Sequence, residues 1–301
     1  MVFIEDIKLT KEVLKYVIIT PAKNEEKFVE HTIISVCNQT FKPEEWIIVD
    51  DGSTDNTSAI VEKYTKVYPW IKLIKKGNFK EKRKGGSKVV RAFETGFNNL
   101  SKKDYDFIVK LDADLTLPVS YFETITYEFQ KNKKIGICGG ICVAQEEGKL
   151  LEEKTAEYHI RGAIKSYRKE CFEEIGGLMP VPGWDGIDQY LAIYHGWELK
   201  RLNDLEVIHH RETGKETGQF MLSLTTGNFC YKIGFDPFLT FLRALRRSFN
   251  KKINLIYGIG VLIGYITAFF SGKLLTKEHR KFIRQFQYKR IKTKIQDLFN
   301  F

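Results

Sequence analysis

Val49-Asp50-Asp51-Gly52-Ser53-Thr54-Asp55 closes an apolar run that begins at Trp46 and leads into Thr57 to Tyr68, whose apolar spacing is helical. A strand that ends in an acidic, glycine-bearing turn and passes straight into a helix is half of a β-α-β unit. The same order of parts lies on either side. Upstream, the β-branched run Tyr16 to Thr20 stops at Pro21 and gives way to the helical stretch Phe28 to Asn38. Downstream, Ile71 to Ile74 precedes the helical Lys88 to Leu100, and Phe107 to Leu111 precedes Tyr121 to Phe129 and the apolar Ile135 to Val143. Strands alternating with helices over short loops predict an α/β fold, a mostly parallel sheet covered by helices on both faces. Beyond Gly148 the alternation weakens to mixed structure: a helix near Glu152 to Arg161, a short helix from Asp188 to Gly196, and strand-like Glu198 to Leu202 and Glu206 to His209.

Open parallel sheets bind ligands beyond the carboxyl ends of their strands. Acidic groups stand at three such ends: Asn24 with Glu25, Asp50 with Asp51, and Asp112 with Asp114. Carboxylates gathered there need cations. Asp112-Ala113-Asp114 offers two hard oxygen ligands to Mg²⁺ or Mn²⁺ while leaving positions for a diphosphate, although so short a motif also fits an ordinary polar loop. His209-His210-Arg211 closes a strand, where the imidazole of His209 can join the metal and Arg211 the diphosphate, or where a structural histidine pair packs. The stretch Lys80-Glu-Lys-Arg-Lys-Gly-Gly-Ser-Lys88, continuing to Arg91, sets cations and flexible backbone ahead of a helix N-terminus, which suits phosphate contacts. It lacks Gly-x-x-x-x-Gly-Lys-Ser/Thr and is not a P-loop.

Thr20-Pro-Ala-Lys-Asn-Glu25, Asp50-Asp51-Gly52-Ser53 and Asp112-Ala113-Asp114 follow one another at intervals that resemble the family 2 glycosyltransferases with a GT-A fold, over residues 14 to 235. The resemblance implies an inverting transfer of a sugar from a nucleotide-diphosphate donor to an acceptor hydroxyl, in surface polysaccharide or glycolipid assembly. It implies that Asp50 or Asp51 binds the donor's base or ribose, that Glu25 lies near the ribose, and that Thr20 and Pro21 shape that wall. Lys84, Lys88 and Arg91 would contact the donor. Inversion in one step needs a carboxylate base on the face opposite the leaving group. Trp184-Asp185-Gly186-Ile187-Asp188 stands where the family carries a Glu-Asp motif, but Trp184 replaces the Glu and a second acid follows three residues on. Counting back from Gly196 ranks Asp185 ahead of Asp188 as the base, and Trp184 either stacks on a sugar ring or belongs to the core.

The 301 residues allow a glycosyltransferase domain over 1–235 and a basic, apolar helical region over 236–301. A hydrophobic fraction of 43% and a charged fraction of 29% exclude wholesale disorder and a polytopic membrane protein. Lys and Arg exceed Asp and Glu by 48 to 38, a net +10, and the cations thicken after Arg243. That excess predicts a phosphorylated substrate or an anionic lipid surface as partner, with nucleic acid set aside. The five scattered cysteines fit a reducing cytoplasm, and Cys138 and Cys142 read as buried strand residues, not a zinc pair. Ile253 to Phe270 is almost continuously apolar between Lys251-Lys252 and Lys273, and Gly260 and Gly264 form a G-x-x-x-G. Its length and symmetric flanks suit a membrane hairpin or interfacial helix as readily as a span, and a buried helix is the alternative. The expected setting is the cytoplasmic face of the cell membrane, with a lipid-linked or glycan acceptor. Two other readings compete: a metal-dependent nucleotidyltransferase, which releases pyrophosphate, and a non-enzymatic basic membrane adaptor, which leaves the ordered acidic clusters unexplained.

Overall fold

The computed structural model describes residues 14–77, 88–146, 149–153, 155–211, 218–248 and 255–299. Its sheet begins with β1 (Tyr16–Ala22), β2 (Glu45–Asp50), β3 (Ile71–Lys75) and β4 (Phe107–Leu111), all mutually parallel in the order β3-β2-β1-β4. β8 (Ile164–Arg168) runs against β4, β6 (Ile135–Glu146) against β8, and β9 (Glu198–His209) runs parallel to β6. The short β5 (Leu115–Thr116) pairs antiparallel with the end of β9, and β7 (Lys149–Glu152) with β6. Thus β3, β2, β1, β4, β6 and β9 share one direction, the mostly parallel sheet that the alternating sequence predicts.

Successive residues of a strand point to opposite faces, and here both faces are covered. Tyr16, Ile18, Trp46, Ile48, Phe107 and Val109 feed one core, into which pack α1 (Val29–Cys37), α2 (Thr57–Thr65) and α4 (Tyr121–Lys131). Val17, Ile19, Ile47, Val49 and Ile108 feed the other, against α3 (Lys88–Asn98), α5 (Lys169–Glu174) and α6 (Trp184–Tyr194). Burying a side chain such as Ile33 or Phe93 contributes about 1.5–3 kcal/mol. Gly96 lets α3 lie close on the sheet, since a Cβ there would meet Ile19 Cγ2 at 2.6 Å. That contact fixes the helix whose first residue, Lys88, overlooks the strand ends.

Three local expectations change. No helix occupies the described part of 152–161; the chain forms β7 as a partner for β6, then turns. The two strands foreseen between Glu198 and His209 are one, because the break read at Asn203-Asp204 is a shift of register between Gly139 and Ile141 on the neighbouring strand. Gly140 permits it: a Cβ there would lie 2.1 Å from the Leu205 carbonyl oxygen. Finally, α6 starts at Trp184, not Asp188, after Gly183 turns the chain with φ +78°.

The remaining helices are α7 (Gln219–Lys232), α8 (Pro237–Ser248), α9 (Leu255–Thr267) and α10 (Lys277–Phe299). The G-x-x-x-G of α9 packs on α7 of the same chain: a Cβ on Gly264 would lie 2.1 Å from the Leu224 carbonyl oxygen, and one on Gly227 1.9 Å from that of Val261. Cys230, Ile233, Phe235, Leu275 and Ile283 join the second core, so α7 and α10 are seated on the sheet domain. Among the described residues no helix is long and apolar enough to cross a membrane.

Candidate active site

Two loops at the carboxyl ends of β1 and β2 are stitched into one unit. Gly52 (φ +76°) turns the chain, and Asp50 folds back to accept the Ser53 N–H at 2.7 Å and the Ser58 hydroxyl. Asn24, itself at φ +55°, accepts the Thr54 N–H at 2.8 Å and donates its own N–H to Ser53 Oγ at 2.9 Å. The Glu25 N–H reaches Thr57 Oγ1 at 2.7 Å. The acidic turn is therefore structural at Asp50, which is buried within it, and presents Asp51 outward, 3.1 Å from Lys76 Nζ. Thr20 is also buried, its hydroxyl accepting the Trp46 indole N–H at 2.9 Å, so it braces the wall from behind.

In front of these loops lies a cleft of about 500 Å³ lined by Pro21, Ala22, Lys23, Glu25, Asp51, Lys88, Val89, Ala92, Asp112, Ala113, Asp114 and Arg211. Arg91 is partly buried on α3 and is not among the wall residues, and Lys84 lies outside the described residues. A larger hollow of about 790 Å³, between α6 and α10, is lined by Phe282, Phe286, Arg290 and their neighbours and gathers no comparable carboxylate group. The acidic groups Glu25, Asp51, Asp112 and Asp114 gather in the smaller cleft.

Pairing of Leu115 with His209 brings the end of β9 to the Asp112-Ala113-Asp114 turn. His209 Nε2 lies 3.4 Å from Asp114 Oδ2, while its Nδ1 lies 2.8 Å from Glu153 Oε1. Glu153 is in turn paired with Arg161 at 2.5 Å. Arg211 contacts Glu25 at 2.6 Å and Asp114 at 3.8 Å. Burial, and then the charges of Asp114 and Asp112, push the Glu25 carboxyl up to about 8 against the opposing pull of Arg211. Burial would also raise Asp114, but His209, Arg211 and Lys110 outweigh it and hold that carboxyl below its ordinary value. His209 is lowered by burial and raised more strongly by its two carboxylate partners, reaching about 9. Carboxylate oxygens with one imidazole form a hard, mostly oxygen donor set that fits Mg²⁺ or Mn²⁺. Cys142, whose sulfur shares a 4.8 Å cluster with Glu153 and His209, is pushed up to about 12 by burial and remains a thiol at neutral pH. Cys138 and Cys142 are both buried on β6, as the apolar run predicts.

Close to the Asp112 turn packs α6. The Asp112 N–H donates to the Ala163 carbonyl at 2.9 Å, and Gly162 leaves room for α6, since its Cβ would lie 3.0 Å from Asp185 Cβ. Lys110 pairs with Asp112 and sits 5.2 Å from the Trp184 ring centre. Trp184 itself is 7% exposed, a core anchor between Lys110 and Lys165. Asp188 is enclosed: Lys165 Nζ reaches its two oxygens at 2.8 and 2.7 Å, and the Tyr167 hydroxyl donates to it at 2.5 Å. Asp185 keeps a side chain 35% exposed, 3.5 Å from His159 Nε2. Burial would raise its carboxyl, yet the His159 hydrogen bond and the charges of Lys165 and Arg161 hold it well below the usual range. Lys110, Lys165, Tyr167, His159 and Glu153 escaped the sequence reading. The one available signal was a lysine inside the apolar run Phe107-Ile-Val-Lys-Leu111; Ile164-Lys-Ser-Tyr-Arg168 is too polar to stand out as a buried strand.

A family model, glycosyl transferase family 2, matches residues 17–182, more than half of the chain. GalNAc(5)-diNAcBac-PP-undecaprenol beta-1,3-glucosyltransferase of Campylobacter jejuni is 29% identical over 139 residues, covering 46% of this chain and 41% of that protein. The chain thus spans about two fifths of that relative's length. Among solved structures, S. aureus TarS 1-349 in complex with UDP-GlcNAc superposes with a TM-score of 0.54 at 15% identity, covering 86% of this chain and 74% of that one. The mannosyltransferase PcManGT from Pyrobaculum calidifontis, in complex with GDP-Man and Mn²⁺, superposes with a TM-score of 0.52 at 16% identity over the same shares. These likenesses establish the fold as GT-A-like.

Proposed function

The chain belongs to glycosyl transferase family 2, and on that premise we propose that it moves a sugar from a nucleoside diphosphate to an acceptor hydroxyl, inverting the anomeric centre. The strongest support is the cleft at the ends of β1, β2 and β4, where Glu25, Asp112, Asp114 and Arg211 converge beside Lys88. Asp51 and Pro21 face the donor's base and ribose. Lys88 and Arg211 supply positive charge for its phosphates.

Asp112, Asp114 and His209 would hold Mg²⁺ or Mn²⁺, and the cation, when bound, neutralises charge on the departing diphosphate. Glu153 orients His209: it accepts from Nδ1–H, so that Nε2, which faces Asp114, is the nitrogen that becomes a ligand once its own proton leaves. Asp185 is the general base, being ionised at neutral pH and open to solvent at the start of α6. It takes the proton of the acceptor hydroxyl as that oxygen attacks the anomeric carbon, and a single displacement inverts the configuration. Asp188 serves instead to lock α6 to β8 through Lys165 and Tyr167.

The name of the C. jejuni relative includes a PP-undecaprenol-linked glycan, which supports a lipid-linked or glycan acceptor; a setting at the cytoplasmic face of a membrane is part of the same proposal. Product analysis tests the reaction. Incubation with Mn²⁺, nucleotide sugars and candidate acceptors is expected to release nucleoside diphosphate and give a product of inverted configuration by NMR. Release of pyrophosphate, or retention of configuration, would refute it.

A further inference from the structure

Two adjacent helices carry apolar stripes that none of the described residues covers. On α8, Phe238, Phe241, Leu242 and Leu245 recur at the i, i+3, i+4, i+7 spacing of a single helix face and are 62, 44, 42 and 42% exposed. On α9, Ile256, Ile259, Ile263 and Ile266 are all exposed at a similar period, and the stripe runs on into Phe269 and Phe270, the latter 90% exposed. The opposite faces are already in use: Ala244 of α8 packs with Tyr257 and Val261 of α9 in a small buried cluster. Both helices are thus seated on the body of the protein and still turn a whole apolar face outward. Soluble surfaces scatter single apolar residues; continuous stripes mark an interface.

Length and charge identify the partner. The 13 described residues of α9 extend ~20 Å at 1.5 Å per residue, short of a ~30 Å hydrocarbon core, which suits a helix lying along a bilayer better than one crossing it. Arg243 and Arg246 stand exposed and, with Arg290 and Lys294 of α10, line a hollow of about 300 Å³ that reaches the α8 stripe at Leu242. Cations rimming an apolar face suit lipid phosphates. Against a second copy of the chain the same rim would meet its own charge. The face also reaches the segment before α6: Ile263 shares a hollow of about 590 Å³ with Val181, Pro182 and Phe229, the ring that lies under Gly183 at the start of α6.

We propose that α8 and α9 form an in-plane docking face for an anionic leaflet, with the two stripes sunk to the boundary of headgroups and acyl chains and Arg243 and Arg246 on lipid phosphates. This rests on the membrane-side reading above and specifies the residues that make the contact.

Sedimentation with sucrose-loaded vesicles tests it, using the purified chain without donor or metal, so that the result is independent of whether the cleft transfers sugar. The wild type is expected to pellet with phosphatidylcholine vesicles containing phosphatidylglycerol, and less as salt rises. The pairs Phe241→Ser with Leu245→Ser and Phe269→Ser with Phe270→Ser, each confirmed folded by circular dichroism, are expected to lose about tenfold or more in partitioning. Arg243→Gln with Arg246→Gln is expected to lose the preference for phosphatidylglycerol. The proposal fails if the wild type stays in the supernatant with anionic vesicles, or if folded stripe variants partition like the wild type. It fails equally if light scattering shows a dimer that the stripe substitutions dissociate while vesicles bind neither form, which would assign the face to a second copy.

Discussion

Three residues apart on α6, Asp185 and Asp188 meet different surroundings, and the difference divides their work. Asp185→Asn is expected to lower kcat by about 10²–10⁴-fold, a loss out of proportion to the modest destabilisation that follows from removing the charge facing His159 and Lys165. Removing the partner of Asp188 acts on stability instead: Lys165→Ala leaves a buried carboxylate uncompensated and should cost about 3–5 kcal/mol in urea unfolding. Around His209 the expected effects concern metal affinity. Glu153→Gln should weaken Mn²⁺ binding by about 10–100-fold in calorimetric titration. His209 must also shed its proton to become a ligand, and its value of about 9 means that Mn²⁺ affinity should rise as pH increases from 7 to 9. The sign for stability is opposite: the contacts of protonated His209 stabilise the metal-free fold fully below its unfolded value of about 6.5, and that stabilisation is lost as pH rises through about 9. The acidic groups of the cleft were legible because each follows an apolar run in sequence. Lys165 and Tyr167 were not, because their partner Asp188 is brought to them by the packing of α6 on β8, and Lys110 was not, because its place beside Trp184 depends on that same packing.

At the scale of elements, legibility followed locality. The β-α alternation from Tyr16 to Phe129 is written in periods of two and 3.6, and the strands and helices stand where those periods place them. The bulge opposite Gly140 depends on a neighbouring strand, and the start of α6 on a left-handed Gly183, so neither is visible in a local pattern. Where a helix is expected near 152–161, pairing of β7 with β6 claims Glu152 and the described residues beyond it form turns. The G-x-x-x-G of α9 was legible as a close-packing signal but not in its partner, α7. Gly264→Leu should therefore destabilise by about 1–3 kcal/mol or more, since any Cβ meets the Leu224 carbonyl, and thermal unfolding measures the loss.

At the scale of the whole molecule, a sheet buried on both faces leaves one open end, and the acidic groups read from the sequence gather there with Lys88 and Arg211. Fold class was legible from alternation, and the net charge of +10 from composition, but neither says which surface carries the charge or what it meets. That depends on which faces of α8 and α9 the body uses, a property of packing. The sugar-transfer reading stands or falls on whether this cleft binds a nucleotide sugar through a metal. Calorimetric titration of UDP-, GDP- and dTDP-sugars into wild type and Asp114→Ala, with Mn²⁺ and again with chelator, measures that directly. One donor is expected to bind selectively with Mn²⁺, and to lose about tenfold or more in affinity with chelator or in Asp114→Ala. Absence of binding by any donor to the folded, metal-supplied wild type, or equal binding by Asp114→Ala, would contradict it.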